Sequence, residues 1–283
     1  MSKILVRGAA LPLALFAAST VHAQEATDPP AAVTVSGAVT GTSDYRFRGV
    51  SQSDKEIAVQ GGITAAHDRG FYVGAWGSNL AGWGTFGGAN LQLDLIGGYK
   101  RSFGDATVDA GLVWYMYPGG ADETDFAELY AKLSGTLGPA TLTAGVAYAP
   151  KQEALGQWYL SGASAQTGMY DDPGAKDDNL YLSGDAVAPI IGTPLTAKAH
   201  IGYSDGNPGL GPNGTSVAPT GTYWDWSLGV DATWRNLTLG VAYVDTDIGR
   251  DEAAYLQPNL SKGQDGSGSI VDGTAIVSLT AAL

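Results

Sequence analysis

The sequence contains no cysteine, so no disulfide bond can stabilise it. Small exported domains often depend on disulfides because their hydrophobic cores are small. This chain of 283 residues must instead bury its own apolar side chains or pair its own strands. A disulfide scaffold is therefore excluded.

Charged residues are also few. Asp, Glu, Lys and Arg make up 15% of the chain, whereas about 25% is usual in soluble domains. Glu and Lys normally fill the exposed surfaces of helices, and the 41 glycines would weaken helix interiors. The composition therefore favours strands and loops over helices.

Positive charge is the scarcer of the two signs. The 15 Lys and Arg residues are outnumbered by 28 Asp and Glu residues, which gives a formal net charge of −13. Proteins that bind nucleic acids neutralise the phosphates with Lys and Arg. The charge balance therefore argues against a nucleic-acid partner.

No apolar run is long enough to form a transmembrane helix. The run from Ala9 to Ala18 falls short of the roughly 20 residues that a spanning helix needs, and no later stretch approaches that length. Lys3 and Arg7 precede this run, and Val21-His22-Ala23 follows it. This is the pattern of a secretory signal peptide that is cleaved before Gln24, so we predict that the protein is exported. Cleavage removes two basic side chains and takes the net charge to −15.

The clearest pattern that is present is an alternation of period two between Tyr223 and Val244. Every second residue of its first arm is apolar, and the apolar set is Trp224, Trp226, Leu228, Val230, Ala232 and Trp234. The second arm alternates in the same way after only Arg235 and Asn236, which predicts a β-hairpin. One apolar face and one polar face suit a strand with lipid outside and water inside, although the strands of a soluble β-sandwich also alternate.

Segments with the same alternation recur along the chain, and we count about twelve of them. They cover residues 33–47, 56–66, 71–78, 91–100, 107–117, 126–134, 141–149, 180–187, 195–204, 223–234, 237–244 and 274–283. The segment at 71–78 leaves open which of its faces is apolar. No segment has the period of a long amphipathic helix.

The connections between these segments differ in length according to their order. Every second connection is short, and the short ones are residues 68–70, 102–106, 138–140, 189–194 and 235–236. The others are longer and include 79–90, 150–179 and 245–273. Transmembrane β-barrels place short turns in the periplasm and long loops outside, whereas a soluble sandwich has no reason to sort its loops in this way.

We therefore predict an all-β fold, a single antiparallel transmembrane β-barrel of about twelve strands in the bacterial outer membrane. The barrel is expected to span residues 33–283, after a cleaved signal peptide at 1–23 and a short periplasmic segment at 24–32. A closed barrel pairs every backbone group that lies in lipid. The outer-membrane assembly machinery is an expected partner, although such barrels usually end on Phe or Trp and this sequence ends on Leu283.

The segment Ser43-Asp44-Tyr45-Arg46-Phe47-Arg48-Gly49-Val50-Ser51-Gln52-Ser53 resembles the start of a family of proteobacterial outer-membrane porins that is often called TorF-like. Further matching segments follow in the same order at residues 114–119, 125–130, 199–203 and 242–247. The resemblance spans nearly the whole mature chain and implies an outer-membrane barrel with a role in transport. The terminal Leu283 departs from the aromatic ending of the family.

The alternation also predicts which charged side chains face the lumen of the barrel. These are Arg46, Arg48, Glu56, Asp94, Asp109, Glu128, Lys132, Lys198, His200, Asp225 and Asp231. Charges of both signs inside a narrow barrel could select solutes at a constriction. They could equally form a paired network that fills the interior.

Arg46 and Arg48 are expected at the end of the first strand, on its lumen side. Two guanidinium groups at a pore mouth could hold anionic solutes or lipopolysaccharide phosphates. Pairing with lumen carboxylates such as Glu128 or Asp225 is the other interpretation.

These patterns favour a porin-like channel for the passive diffusion of small hydrophilic solutes. The alternative is a non-conducting structural barrel that acts through its long outward loops. Those loops are rich in Asp and Glu, which suit solvation or cation bridges to lipopolysaccharide. The expected partners are thus outer-membrane lipid, lipopolysaccharide and small solutes. The sequence has neither metal-ligand spacing nor a nucleophile elbow, so no cofactor and no enzymatic activity are expected.

Overall fold

The computed structural model describes residues 32–83 and 85–283. The predicted signal peptide, and residues 24–31 of the predicted periplasmic segment, lie outside the described residues. The described chain is dominated by strands, as its composition and its alternation predict.

Fourteen strands are present in the described residues, and twelve of them close into one barrel. They are β1 (Val33–Thr42), β2 (Arg46–Phe47), β3 (Val50–Ser51), β4 (Ala58–His67), β5 (Phe71–Asn79), β6 (Leu91–Phe103), β7 (Ala106–Met116), β8 (Phe126–Leu137), β9 (Ala140–Gln152), β10 (Asp177–Pro189), β11 (Leu195–Asp205), β12 (Thr222–Trp234), β13 (Leu237–Thr246) and β14 (Thr274–Ala282). β2 and β3 form a separate two-stranded sheet. The prediction of a twelve-stranded antiparallel barrel is confirmed.

Each barrel strand pairs with the next barrel strand in the chain, and β1 pairs with β4 because β2 and β3 lie outside the wall. The barrel closes where β1 meets β14. In this seam Thr42 lies opposite Ser278 and Ala38 lies opposite Ala282. Every pairing is antiparallel, so the backbone groups of the wall are satisfied within it.

The outer surface of the barrel is apolar because one face of each strand points away from the lumen. Leu228 in the middle of β12 exposes 65% of its surface, and Val59 and Val73 expose 60% and 64%. Phe71 and Val73 are exposed whereas Tyr72 is buried, which settles the orientation that the sequence leaves open at 71–78. In a water-soluble protein such a surface would be covered, so we interpret it as the lipid-facing surface.

The two rims of the barrel differ as expected. The connections β4–β5, β6–β7, β8–β9, β10–β11 and β12–β13 are short turns at one rim, which is the periplasmic rim. The turn between β12 and β13 consists of Arg235 and Asn236, as predicted. The opposite rim carries the long loops.

Short helices lie in these outer loops. The α-helices are α1 (Gly162–Thr167) and α2 (Arg250–Ala253), and single turns of 3-10 helix occur at Thr85–Gly88, Glu153–Leu155, Ala254–Leu256 and Lys262–Gln264. Within the described ranges, no helix has the length and apolar character needed to cross a membrane.

Two hydrophobic clusters lie at the outer end of the molecule. The first fills the outer half of the lumen and includes Tyr115, Phe126 and Tyr45. The second joins the outer loops to one another and includes Leu210, Leu256 and Val271. The outer loops therefore form a packed cap over the barrel.

Candidate functional site

The lumen of the barrel holds most of the charged side chains that the sequence places there. Those carried inward by barrel strands are Asp94, Asp109, Glu128, Lys132, Lys198, His200, Asp225 and Asp231. They fall into an outer group that is fully buried and a periplasmic group that keeps some contact with solvent.

The outer half of the lumen is crossed by a short hairpin formed by residues 44–53, here called the inner hairpin. The first strand was predicted to continue to Phe47, but β1 ends at Thr42, and the chain then leaves the wall and enters the lumen. Arg48 and Gly49 connect β2 and β3, with φ angles of 49° and 79°. Two successive residues with positive φ form the tight turn that matches the twist of a hairpin.

Asp44 holds the inner hairpin in this shape. Its carboxylate accepts hydrogen bonds from Ser51 Oγ at 2.5 Å and from Arg46 Nε at 2.6 Å. Arg46 Nη1 then donates to the carbonyl oxygens of Gly49 and Ile270, at 2.7 Å and 3.0 Å. Arg46 is therefore paired within the hairpin and with the last outer loop, rather than placed at the end of β1.

The inner hairpin reaches the barrel wall on several sides. Tyr45 donates a hydrogen bond to Gln92 Oε1 on β6 at 2.9 Å, and the Phe47 ring packs edge-on against Tyr115 of β7 at 5.7 Å. At its tip, a Cβ atom on Gly49 would lie 2.4 Å from Thr246 Cγ2. Glycine is thus needed at the tip, both for the positive φ and for the close approach to the wall.

Arg48 is the strongest link between the inner hairpin and the wall. Its guanidinium donates to Glu128 Oε2 on β8 and to Asn179 Oδ1 on β10, both at 2.5 Å. It also lies over the ring of Tyr181, 4.1 Å from the centroid. The Arg48 and Glu128 side chains expose only 3% and 2% of their surfaces. This charge-assisted contact is desolvated, and it joins the inner hairpin to the opposite wall of the barrel.

The outer cap covers the inner hairpin from above. Val50 of the hairpin belongs to the same buried cluster as Leu210 and Leu256 of the loops. Asp54, just after the hairpin, accepts a hydrogen bond from the Gly263 amide at 3.0 Å, and burial raises the pKa of its carboxyl group. The inner hairpin is therefore in contact with the last outer loop as well as with the barrel wall.

The periplasmic half of the lumen is lined differently. Small residues face inward there, including Ser36, Thr64, Thr141, Thr143, Gly240 and Thr280. Larger side chains share this level with them, among them the buried Tyr72 and Val187. The periplasmic half of the lumen, below the inner hairpin, is here called the periplasmic chamber.

Paired charges line the periplasmic chamber. Lys198 and Asp231 form an ion pair at 2.6 Å, with 17% and 15% of their side-chain surfaces exposed. His200 lies between Asp185 and Tyr181, with Nδ1 at 2.7 Å from the Asp185 carboxylate and Nε2 at 2.9 Å from the Tyr181 hydroxyl. The Tyr181 hydroxyl also donates to Asp225, which links the chamber to the level of Arg48.

A further cluster lies on β5, β7 and β8. Tyr72 donates a hydrogen bond to Asp109 Oδ1 at 2.6 Å, and its hydroxyl also contacts that of Tyr130. The Lys132 ammonium lies 5.7 Å from the centre of the Tyr130 ring. The lumen thus carries charges of both signs, most of them in contact with a partner.

One predicted lumen residue lies elsewhere. Glu56 is in the loop after the inner hairpin, where its side chain is 67% exposed and pairs with Lys262 of the last outer loop at 2.7 Å. The prediction failed because the chain has left the wall between Thr42 and Ala58, so the alternation there does not report the two faces of a strand. The sequence also gave no role to Asn179, Tyr181 or Asp185, although each faces inward on β10.

The closed wall, the apolar outer surface and the polar lumen make this protein an outer-membrane β-barrel with a porin-like fold. The chain belongs to the family described as "Bacterial protein of unknown function (Gcw_chp)", whose model matches residues 24–282. A comparison with curated proteins gave no match.

Solved structures with a similar fold include porins. A NanC porin has a TM-score of 0.51 and 12% sequence identity, and the similarity covers 87% of this chain and 97% of that one. A KdgM porin has a TM-score of 0.50 and 7% identity, covering 87% of this chain and 98% of that one. At these identities the similarity concerns the fold.

Proposed function

We propose that this protein is an outer-membrane channel for the passive diffusion of small hydrophilic solutes, and that the inner hairpin is its gate. The observation that carries the proposal is the contrast between the two halves of the lumen. On the periplasmic side, the lumen is lined by small polar residues and by charged side chains that remain partly exposed, whereas on the outer side a hairpin anchored by buried side-chain contacts lies across it.

The few backbone contacts within the inner hairpin support the proposal that it can move as a gate. Its ladder consists of two residue pairs, Arg46 with Ser51 and Phe47 with Val50, and a two-stranded ladder of this size is not stable by itself. Two of its buried polar atoms, Arg46 Nη2 and Gln52 Oε1, have no hydrogen-bond partner among the described residues. Unsatisfied buried groups lower the stability of the docked state. The docked position therefore depends on the contacts of Arg48 and on the cap.

Residues 43–53, which include the inner hairpin, resemble the start of TorF-like porins. This resemblance supports the same function. We propose phospholipid and lipopolysaccharide as the surrounding partners and the assembly machinery as a partner during insertion. The acidic outer loops would face lipopolysaccharide phosphates through divalent cations. No catalytic role and no cofactor are proposed.

The second candidate is a barrel that does not conduct and acts through its outward loops. The buried Arg48–Glu128 ion pair and the continuous core of the cap favour it. The two candidates differ in one respect, since only the channel requires that the inner hairpin leave its docked position.

Conductance across planar bilayers distinguishes the candidates. We expect small or infrequent conductance steps from the refolded wild-type protein and larger or more frequent steps from Arg48→Ala, because the substitution removes the contacts with Glu128 and Asn179. Arg250→Ala is the matched control, since Arg250 lies in an outer loop with 85% of its side chain exposed. A folded Arg48→Ala protein that conducts no more than the wild type would argue for the second candidate.

A further inference from the structure

Aromatic residues lie at both rims of the lipid-facing surface. Their charged partners are carboxylates at the outer rim and arginines at the periplasmic rim. At the outer rim, Tyr148 donates a hydrogen bond to Asp178 at 2.6 Å, and Tyr243 donates to Asp245 at 2.9 Å. At the periplasmic rim the partner of the aromatic ring is arginine. The Arg235 guanidinium lies 4.7 Å from the ring centre of Trp234.

A larger group of the same kind lies at the periplasmic end of β6. Arg101 lies 5.8 Å from the ring centre of Phe103 and donates to the Tyr99 hydroxyl at 3.2 Å. Tyr99 in turn packs edge-on against Phe71 at 5.0 Å. Phe71 and Phe103 expose 63% and 61% of their surfaces. This group and the Trp234–Arg235 pair are here called the inner girdle.

The two parts of the inner girdle lie on opposite sides of the barrel. Five strands separate β6 from β12 in either direction around the wall. Both parts stand at the level of the short turns, where the barrel leaves the hydrocarbon and meets the headgroups of the inner leaflet.

The arginines of the inner girdle are not neutralised by the protein. Within residues 32–83 and 85–283, neither Arg101 nor Arg235 forms an ion pair, although the chain is strongly acidic. Each guanidinium is exposed and held beside an exposed ring. A guanidinium in this setting can donate two parallel hydrogen bonds to a phosphate group, while the ring contacts the upper acyl chain.

We propose that the inner girdle binds anionic phospholipids of the inner leaflet, with the lipid phosphate on Arg101 or Arg235 and the acyl chains against Phe103 or Trp234. At the outer rim, the carboxylates beside Tyr148 and Tyr243 would instead repel a lipid phosphate. The protein would therefore carry two lipid sites on opposite sides of its periplasmic rim. This proposal does not depend on conduction through the lumen.

Native mass spectrometry of the folded barrel in detergent tests the proposal, with phosphatidylglycerol and phosphatidylcholine as the two probes. We expect the wild-type protein to retain phosphatidylglycerol in preference to phosphatidylcholine. A basic residue near a headgroup contributes about fivefold in affinity, so Arg101→Gln combined with Arg235→Gln should weaken the preference by about that factor at each site. Arg250→Gln in the outer loop is the matched control and should retain the preference.

Heat-modifiable migration in gels establishes that each variant is folded, and each single substitution is measured as well in case the double variant folds poorly. Equal retention of the two lipids by the wild-type protein would overturn the proposal. So would an unchanged preference in folded variants without these arginines, because the preference for the anionic headgroup would then come from other groups.

Discussion

Arg48 of the inner hairpin and Glu128 of the barrel wall form an ion pair at 2.5 Å in which both side chains are almost fully buried. This ion pair joins a segment that has left the wall to the wall on the far side of the lumen. Each of the two charges depends on the other, because a buried charge without a partner is costly. The behaviour of the hairpin should therefore depend on it.

Arg48→Met should loosen the inner hairpin by about 3–5 kcal/mol, because Glu128 is left buried without its cation. Hydrogen exchange of the Ser51 amide measures this change, since that amide donates to the Ile270 carbonyl only while the hairpin is docked. Lys176→Met is the control, as its pair with Glu153 is largely exposed and should contribute little to stability. Equal protection of Ser51 in the wild type and in Arg48→Met would contradict this assignment.

Gly49→Ala should displace the hairpin tip and increase conductance. The added Cβ would meet Thr246 Cγ2 at 2.4 Å and Asp225 Cβ at 2.9 Å. Gly119→Ala is the matched control, because Gly49 and Gly119 have φ angles of +79° and +77°. No atom of the described residues lies within 4 Å of a Cβ at Gly119. Both variants suffer the same backbone strain, so a difference between their single-channel recordings reports the contact with the wall. Identical recordings would show that the tip does not control the path.

The Lys198–Asp231 pair should set part of the ion selectivity. Both side chains touch solvent in the periplasmic chamber, so removing one charge leaves the other facing the path. Lys198→Gln should shift the reversal potential in a potassium chloride gradient towards cation selectivity, and Asp231→Asn should shift it towards anion selectivity. Lys176→Gln, in an outer loop, should have little effect. Shifts of the same sign in the two chamber variants would place the path elsewhere.

Leu228→Arg should destabilise the barrel in lipid vesicles by about 2–4 kcal/mol, because Leu228 lies at the middle of β12 on the lipid-facing surface. Leu137→Arg is the control, since Leu137 is equally apolar and exposed but ends β8 at the periplasmic rim, where the cost is about 0–1 kcal/mol. Urea unfolding from vesicles measures both values. Equal costs at the two depths would contradict the assignment of this surface to the membrane.

The wall of the barrel could be predicted from the sequence because its two signals are local. Alternation between lipid and lumen acts on each strand separately, and the turn and loop lengths follow from the order of the strands. The predicted segment 195–204 corresponds to β11 (Leu195–Asp205), and 237–244 corresponds to β13 (Leu237–Thr246). Each strand end differs by a few residues at most, except at β1.

The inner hairpin could not be predicted because its residues continue the alternation of β1. Tyr45 and Phe47 have the same parity as Val39, yet Val39 faces lipid whereas Tyr45 and Phe47 are buried in the lumen. Local pattern does not distinguish these environments, since both are apolar. Gly49 was the one available signal, because a glycine directly after Arg48 is compatible with a tight turn. The partners Asn179 and Tyr181 depend on contacts across the barrel, which a single sequence does not contain.

The most direct test replaces residues 45–52, which form most of the inner hairpin, with a short Gly-Ser linker and measures single-channel conductance. The wall should still close, because none of these residues belongs to a barrel strand and the linker joins points that are already connected. We expect steady, ohmic steps several times larger than those of the wild type. A folded, heat-modifiable variant that produced no conductance would contradict the channel.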